Sequence, residues 1–411
     1  MAQTTRLKAR AVSAGTGVQP WQRTLYTMWF AQLMSIVGFS FVMPFLPFYI
    51  RELGNLKETQ VPLWSGLTYS LAPLMLCVFA PIWGSVADRY GRKMMVERAM
   101  FGGGTVMLIM AQVHSLYAFL ALRLLQGALA GTVVASTTLV CSITPKHRLG
   151  YSLGMMQMAV VSGSFLGPWL GGVMANEWGY RIPFFASGIM LIAAGVAVLL
   201  LVQENFTPPE HCENGNHGMR QAFGGRGLLA LLSVFFFISF SASFVAPIFP
   251  LFVEKLADGV HVAGTVGLLM GVTGLAAGIS TVIVGRLSDR LGHKRTLVAT
   301  TFLSGLLSIP HALVYSVGAL FGLRIGLGLA AGGTSPSINS IIGHSVSPDM
   351  YGRSYGISQS ASSLGMAIGP VAGGLITTVL DLRWPFVVMG IMLLVCSGLV
   401  AAFVRNGSNG E

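Results

Sequence analysis

The sequence predicts an all-α membrane protein of twelve transmembrane helices, arranged as two six-helix bundles related by an internal repeat. Three observations carry that prediction. Only 9% of the 411 residues are charged, 53% are hydrophobic and the mean hydropathy is +0.70, whereas soluble domains carry about 25% charged residues. Twelve apolar runs can be marked, each near or above the ~20 residues that cross a bilayer. Finally, the stretch from Gly84 to Lys93 is written again from Gly285 to Lys294, 201 positions later and close to half the chain. Duplication at that spacing marks a membrane domain built twice.

In chain order, residues 1–23 form a basic polar tail without a small-residue cleavage site, so the first apolar run reads as a retained helix. The N-terminal bundle, 24–203, takes runs at roughly 24–50, 62–87, 95–113, 116–142, 150–176 and 182–203. A polar linker with glycine and proline follows at 204–226. The C-terminal bundle, 227–404, takes runs at roughly 227–253, 263–288, 297–316, 318–343, 352–379 and 384–404, and 405–411 is a second tail. Six is even, so both halves enter from the same side and the repeat is parallel.

Matching landmarks recur from the first run to the last. The first run ends in Met43-Pro44-Phe45-Leu46-Pro47 and the seventh in Ala246-Pro247-Ile248-Phe249-Pro250, each followed by a carboxylate beside a cation. Two prolines three apart weaken a helix, so a bend is expected near each outer end. The fourth run carries Arg123, Gln126 and Gly127, and the tenth carries Arg324 at the matching place. A charge within a span costs about 2.5–3.5 kcal/mol on insertion scales, so these arginines are expected to face protein or a wet cavity. The fifth run carries Gly163, Gly167, Pro168, Gly171 and Gly172, matched by Gly365, Gly369, Pro370, Gly373 and Gly374 in the eleventh. Glycines four apart let another backbone approach, and Gly-Pro loosens the helix, so each set is expected to form a moving interface. Gln157 and Gln359 sit upstream in the two copies, on helices expected to line a cavity.

The twice-written stretch leaves lipid with a carboxylate, Asp88 or Asp289, then turns through glycine with cations beyond it: Arg89, Gly91, Arg92 and Lys93 in the first copy. Placing Arg89, Arg92, Lys93 and Arg98 in one loop, and counting the others alike, puts 18 cations on one side and five on the other. The positive-inside rule then sets both termini in the cytoplasm. The net charge of +11 is thereby a topology signal and gives no reason to expect nucleic acid as a partner.

Other chemistries find no support. Cys212 with His211, Glu213 and His217 lacks a standard zinc spacing, so no metal site and no cofactor is expected. Gly150-Tyr151-Ser152-Leu153-Gly154 matches a hydrolase nucleophile pattern, but it recurs as Gly352 to Gly356 at the start of the matching helix and reads as architecture. An enzyme is not expected.

With these residues assembled, the chain resembles the major facilitator superfamily over its full length, and within it the bacterial twelve-helix drug:proton antiporters. Gly84 to Lys93 matches that family's loop motif. Arg123, Gln126 and Gly127 match its fourth-helix motif, and Gly163 to Gly172 matches the fifth-helix motif associated with antiporters. The resemblance implies two bundles rocking about a central site, with Asp88 and its cations stabilising one conformation and Arg123 taking part in proton coupling. His293 in place of Arg92 and Leu327 in place of Gln126 depart from the pattern in the second half.

All 14 carboxylates map to loops, tails or helix ends, so a cation-binding acid within the membrane is not expected. Phe41, Phe45, Met158 and Phe249 are expected to give an adaptable wall for an amphiphilic substrate. The expectation is a monomeric inner-membrane transporter exchanging amphiphiles for protons across the bilayer. A selective metabolite or siderophore carrier and a transporter-like sensor without turnover are the rival readings.

Overall fold

The computed structural model describes residues 20–204, 226–257, 261–345 and 351–403. Residues 1–19, the tail at 405–411 and nearly all of the linker lie outside them. The described residues are helical throughout their regular structure. The first span is Pro20–Ser40 with Leu46–Gly54, the second Val61–Tyr90, the third Arg92–Met110, the fourth Leu116–Leu129 with Thr132–Ile143, the fifth Leu149–Trp178 and the sixth Arg181–Leu201. The seventh is Arg226–Phe244 with Phe249–Leu256, the eighth Val262–Leu291, and the ninth His293–Ser308 with a 3-10 turn at Ile309–Leu313. The tenth is Val317–Ala331 with Thr334–Ser345, the eleventh Tyr351–Val379 and the twelfth Trp384–Phe403. Ten of the twelve pass as membrane spans by length and hydropathy. Of the other two, the first carries Gln22, Arg23, Thr24 and Gln32 among its apolar residues, and the third carries Arg92, Lys93, Glu97 and Arg98 in its opening turns.

Two boundary expectations change. Pro20 to Arg23, read as tail, open the first helix. The cationic "loops" at 89–98 and 290–295 shrink to single residues, Gly91 (φ 97°) and Gly292 (φ 93°). Each closes one helix with its own N–H, to Ala87 O or Ser288 O, and opens the next. A left-handed φ at the turn is why both copies keep glycine there.

Every third span is broken. The prolines account for the turns at 41–45 and 245–248, with Pro47 and Pro250 then falling in the first turn of the following helix, where a missing N–H leaves nothing unpaired. The fourth span breaks without proline, at Ala130-Gly131, whereas the tenth breaks at Gly332-Gly333 with Pro336 in the first turn of the following helix.

Within the N-terminal half, Phe45, Tyr49, Phe119, Tyr180 and Phe184 stack into one aromatic cluster with centroids 5.2–6.3 Å apart. Such pairs contribute about 0.5–1.5 kcal/mol each beyond area burial. The two halves meet along two seams, second span on eleventh and fifth on eighth.

Candidate functional site

The seams are tight at one end only. Gly374 packs on the Pro62 backbone, Gly66 on Pro370, Gly172 on Ala263 and Gly267 on Pro168, each so closely that a Cβ would collide. Among the described residues the last contacts are Cys77 Sγ to Ser360 O at 3.7 Å and Val161 against Gly278. Two turns further along the same faces, Gly84, Gly154 and Gly285 have nothing within 4 Å of where a Cβ would stand. The halves therefore join at the end carrying Arg51 and part toward the end carrying Gly91 and Gly292. Gln157, one turn before Val161, and Gln359, beside Ser360, are exposed where the halves begin to part, as is Met158.

Across the closed end, Arg51 donates to both oxygens of Glu254, at 2.7 and 3.1 Å, and its guanidinium lies over Phe48. Nearby, Lys255 reaches Asp381 at 3.1 Å, and that hydrogen bond holds the Asp381 carboxyl below its ordinary value. Glu177 and His261 approach to 3.9 Å across the halves.

Phe41, Phe45 and Phe249, expected on a substrate wall, are 3%, 0% and 3% exposed. Phe41 and Phe45 pack in the aromatic core behind the closed end, and Phe249 lies beneath Arg324. In this structure they present no open face. The glycine expectation also needs correcting. Gly163, Gly167 and Gly171 pack on Ile36, Val37, Ser40 and Phe41 of the first span, inside their own half. Gly365, Gly369 and Gly373 do the same against Phe236, Phe240, Ser243 and Phe244 of the seventh. Only Gly172 and Gly374, with the carbonyls of Pro168 and Pro370, face the opposite half. Gly127 packs on Ala72 of the second span.

Arg123 is 4% exposed, donates to Gln126 Oε1 at 2.8 Å, and leaves its Nε unpartnered. Gln126 in turn reaches Met107 Sδ at 3.8 Å. Beside it, Tyr69 donates to Met43 O at 2.6 Å, the carbonyl freed by the break in the first span. Arg324 has no glutamine to meet; its guanidinium sits 3.4 Å from the Phe249 ring centroid and its Nε is also unpartnered. Neither arginine pairs with a carboxylate among the described residues. A desolvated cation–π contact contributes about 2 kcal/mol against several kcal/mol to bury an ion. Arg123 is therefore held by surrounding structure at a net cost that local stability does not explain, and half-buried Arg324 carries a smaller cost of the same kind.

At the open end, Arg92 and Lys93 point their backbone N–H groups at the Glu204 carboxylate, at 3.1 and 2.7 Å. An anion at a helix N-terminus is favourable, and here it ties the third span to the end of the sixth. Lys93 Nζ also reaches Leu199 O and lies 3.4 Å from Glu97, while Arg92 donates to Thr138 O. Arg89 stacks on Tyr90. The Asp88 side chain lies outside the described residues; Asp289 is exposed. Arg98, assigned to the loop, is instead inside the third span, 3.6 Å from the Trp83 ring centroid and bonded to Ala130 O at the fourth-span break. Glu97 lies more than one turn into the same helix and is only 17% exposed.

Sequence reasoning passed over three polar groups. Glu204 reads from sequence as the start of the linker, and its position directly after an apolar run is the signal that it caps a helix. Gln32, fully buried in the first span with both amide atoms unpartnered, and His311, fully buried against Phe386 with Nε2 unpartnered, stood as single polar residues in apolar runs.

Comparison with known proteins matches this architecture. The description of the Major Facilitator Superfamily fits residues 28–259 and again 231–409. The chain is similar to the multidrug resistance protein MdtG of Yersinia enterocolitica, at 33% identity over 91% of each chain. It is similar also to the MdtG of Serratia proteamaculans, at 34% over 91% of this chain and 92% of the other. Among solved structures, a bacterial homologue of the human lysosomal transporter Spinster, inward-facing and occupied, superposes with a TM-score of 0.80 at 14% identity, covering 95% of this chain and 98% of that one. The nucleoside transporter NupG does so at 0.78 and 12%, covering 93% and 100%. Two six-helix bundles, a motif duplicated at half-chain spacing and this match along both halves make the chain a multi-pass membrane transporter of the Major Facilitator Superfamily.

Proposed function

We propose that the protein is a proton-coupled exporter of amphiphilic small molecules in the bacterial inner membrane, working by alternating access as a monomer with both termini cytoplasmic. The observation that carries the reading is the one-sided seam: the halves join at Arg51–Glu254 and part beyond Cys77 and Gly278. With Arg98 joining Arg123 and Arg324 within spans, 17 of the other 22 Lys and Arg residues are assigned to the Gly91 side, and the positive-inside rule turns that open side to the cytoplasm. A substrate would then enter from the cytoplasm, past Gln157, Met158 and Gln359. The similarity to proteins named for multidrug resistance supports export of varied compounds.

Domain limits follow the repeat, with bundles opening at Pro20 and Arg226 on either side of the linker that follows Glu204. Asp88 with Arg89, Arg92 and Lys93 biases which conformation is populated, Asp289 does so in the other half, and Arg123 with Gln126 modulates proton coupling. Because Arg123 and Arg324 bring positive charge into the spans without carboxylate partners, the site favours neutral, zwitterionic or anionic amphiphiles over dications.

The test is a competition series in proteoliposomes under an imposed pH gradient, with matched neutral, anionic, monocationic and dicationic substrates. Proton-driven uptake into inverted vesicles that falls from neutral to dicationic members is expected. Best transport of the dications would overturn the selectivity, and absence of any gradient-driven flux would overturn the transport reading.

A further inference from the structure

The ninth span repeats the third with its anions removed and its cations regrouped: Lys93 is kept as Lys294, Arg92 and Arg98 become His293 and Ala299, and Met94 becomes Arg295. In the first half, Lys93 lies 3.4 Å from Glu97, and the helix N-terminus receives the carboxylate of Glu204. Moving 201 positions on, Lys93 becomes Lys294, Glu97 becomes Val298 and Glu204 becomes Arg405. Both acids are lost, the second to a cation that lies outside the described residues. Lys294 and the adjacent Arg295 make no ion pair or hydrogen bond among the described residues.

Where the first half is filled, the second half has a groove. It measures about 440 Å³, runs between the ninth and twelfth spans, and is lined by Lys294, Arg295, Val298, Ala299, Phe302 and Ala401. Its two cations stand at the helix start, at the membrane edge. Val298 and Phe302 continue one and two turns deeper on the same face, and Phe302 is nearly half exposed. A basic mouth above an apolar floor, opening sideways between two spans, has the polarity profile of a phospholipid.

We propose that this groove binds an anionic phospholipid of the adjacent leaflet. Its phosphate meets Lys294 and Arg295, and an acyl chain lies along Val298 and Phe302. The lipid thereby ties the ninth span to the twelfth as Glu204 ties the third to the sixth. A free phosphate would satisfy the cations but leave the apolar floor bare, so the lipid is the occupant that fits the whole groove.

The test is native mass spectrometry of the full-length, detergent-purified protein titrated with phosphatidylglycerol, phosphatidylethanolamine or inorganic phosphate. Wild type is expected to bind phosphatidylglycerol in preference to phosphatidylethanolamine, and inorganic phosphate is not expected to displace it. Two lost surface cations should weaken phosphatidylglycerol binding about thirtyfold in the Lys294→Gln, Arg295→Gln double variant. Val298→Glu, which restores the acid of the first half without removing a cation, should weaken it as well. Arg23→Gln with Arg148→Gln, cations of the same end outside the groove, should leave it unchanged. Equal binding of the two lipids, displacement by inorganic phosphate, or undiminished phosphatidylglycerol binding in either groove variant would overturn the proposal.

Discussion

Arg51 and Glu254 hold matching places in the two halves, 203 residues apart, and bind each other through two hydrogen bonds. A repeat related by a two-fold-like axis brings equivalent positions face to face, so identical charges there would repel. The order is reversed between copies: Arg51-Glu52 in one half, Glu254-Lys255 in the other. The duplication thus converts a like-charge clash into an attraction. It does so at the one end where the halves also touch through Pro62–Gly374 and Ala263–Gly172.

This pair should act as a latch. Both side chains are about one-third exposed, and exposed pairs contribute at most about 1 kcal/mol. Glu254→Gln should therefore shift the balance between closed and open outer ends about fivefold at most, leaving the fold intact. Spin labels at Glu58 and Val379 in a cysteine-depleted background would report the shift as a longer-distance population. The swapped variant Arg51→Glu, Glu254→Arg should restore the wild-type distribution. If the swap behaves like the single variants, charge pairing is not what holds this end.

A second expectation concerns the open end. Glu204→Gln removes the anion at the third-span N-terminus but keeps the side chain's size, and an anion placed there contributes roughly 0.3–2 kcal/mol. Transport at matched expression should fall, and protection of the Arg92 and Lys93 amides from hydrogen exchange should fall with it. Asp88→Asn should reduce transport more than Asp289→Asn, since only the first copy has Arg92 and the Glu204 anchor beside it. Equal activity of Asp88→Asn and wild type would remove the loop from the mechanism.

Much of this fold could be read from the sequence, because lipid forces every backbone group to pair within its own span and apolar length then reports each helix. The prolines at 44, 47, 247 and 250 gave the outer breaks for the same reason. The break at Ala130-Gly131 was not legible, since glycine in a membrane helix serves packing as often as bending, whereas Pro336 was a usable signal for the one at Gly332-Gly333. The site was less legible than the fold. Arg123 and Arg324 announced themselves as charges in apolar runs. Arg98 and Glu97 did not, because a one-residue turn at Gly91 lets the third span start among its own charges. Nor could the sequence say which glycines face home and which face the other half, a choice fixed by helix rotation about the axis. Phe41, Phe45 and Phe249 are packed in the core in this structure, a placement the sequence does not reveal because the same aromatic side chain serves a wall and a core equally well.

The glycine assignments can be checked by stability. Gly171→Ala places a methyl on the Phe41 backbone of the first span, and overpacking of that kind costs about 1–3 kcal/mol. Gly154→Ala, on an open stretch of the same helix, should be neutral or slightly stabilising, within about 1 kcal/mol. Thermal unfolding of the purified proteins should separate the two. A Gly154→Ala variant as damaged as Gly171→Ala would mean that the seam closes over Gly154.

The last expectation separates function from stability at the buried arginines. Arg123 is buried and Arg324 half-buried, neither pairs with a carboxylate among the described residues, and each leaves a buried Nε unpartnered. If they were structural, removing either would destabilise the fold, as breaking a buried ion pair does. If they are kept for transport, an apolar residue of similar length should relieve the cost of burying the charge. Replacing buried ions by well-packed apolar side chains is often neutral or stabilising by about 1–4 kcal/mol. Arg324→Met is therefore expected to hold or raise the unfolding temperature while lowering gradient-driven transport. Arg123→Met should do so to a smaller extent, because Gln126 Oε1 loses its donor and becomes a buried, unsatisfied acceptor, at a cost of about 1–3 kcal/mol. The double variant Arg123→Met, Gln126→Leu removes that orphan, copies the residue found at position 327 of the other half, and should recover the difference. Unfolding temperatures that drop in all three variants, with transport lost only in proportion to folded protein, would make these arginines part of the scaffold and end the proposed coupling role.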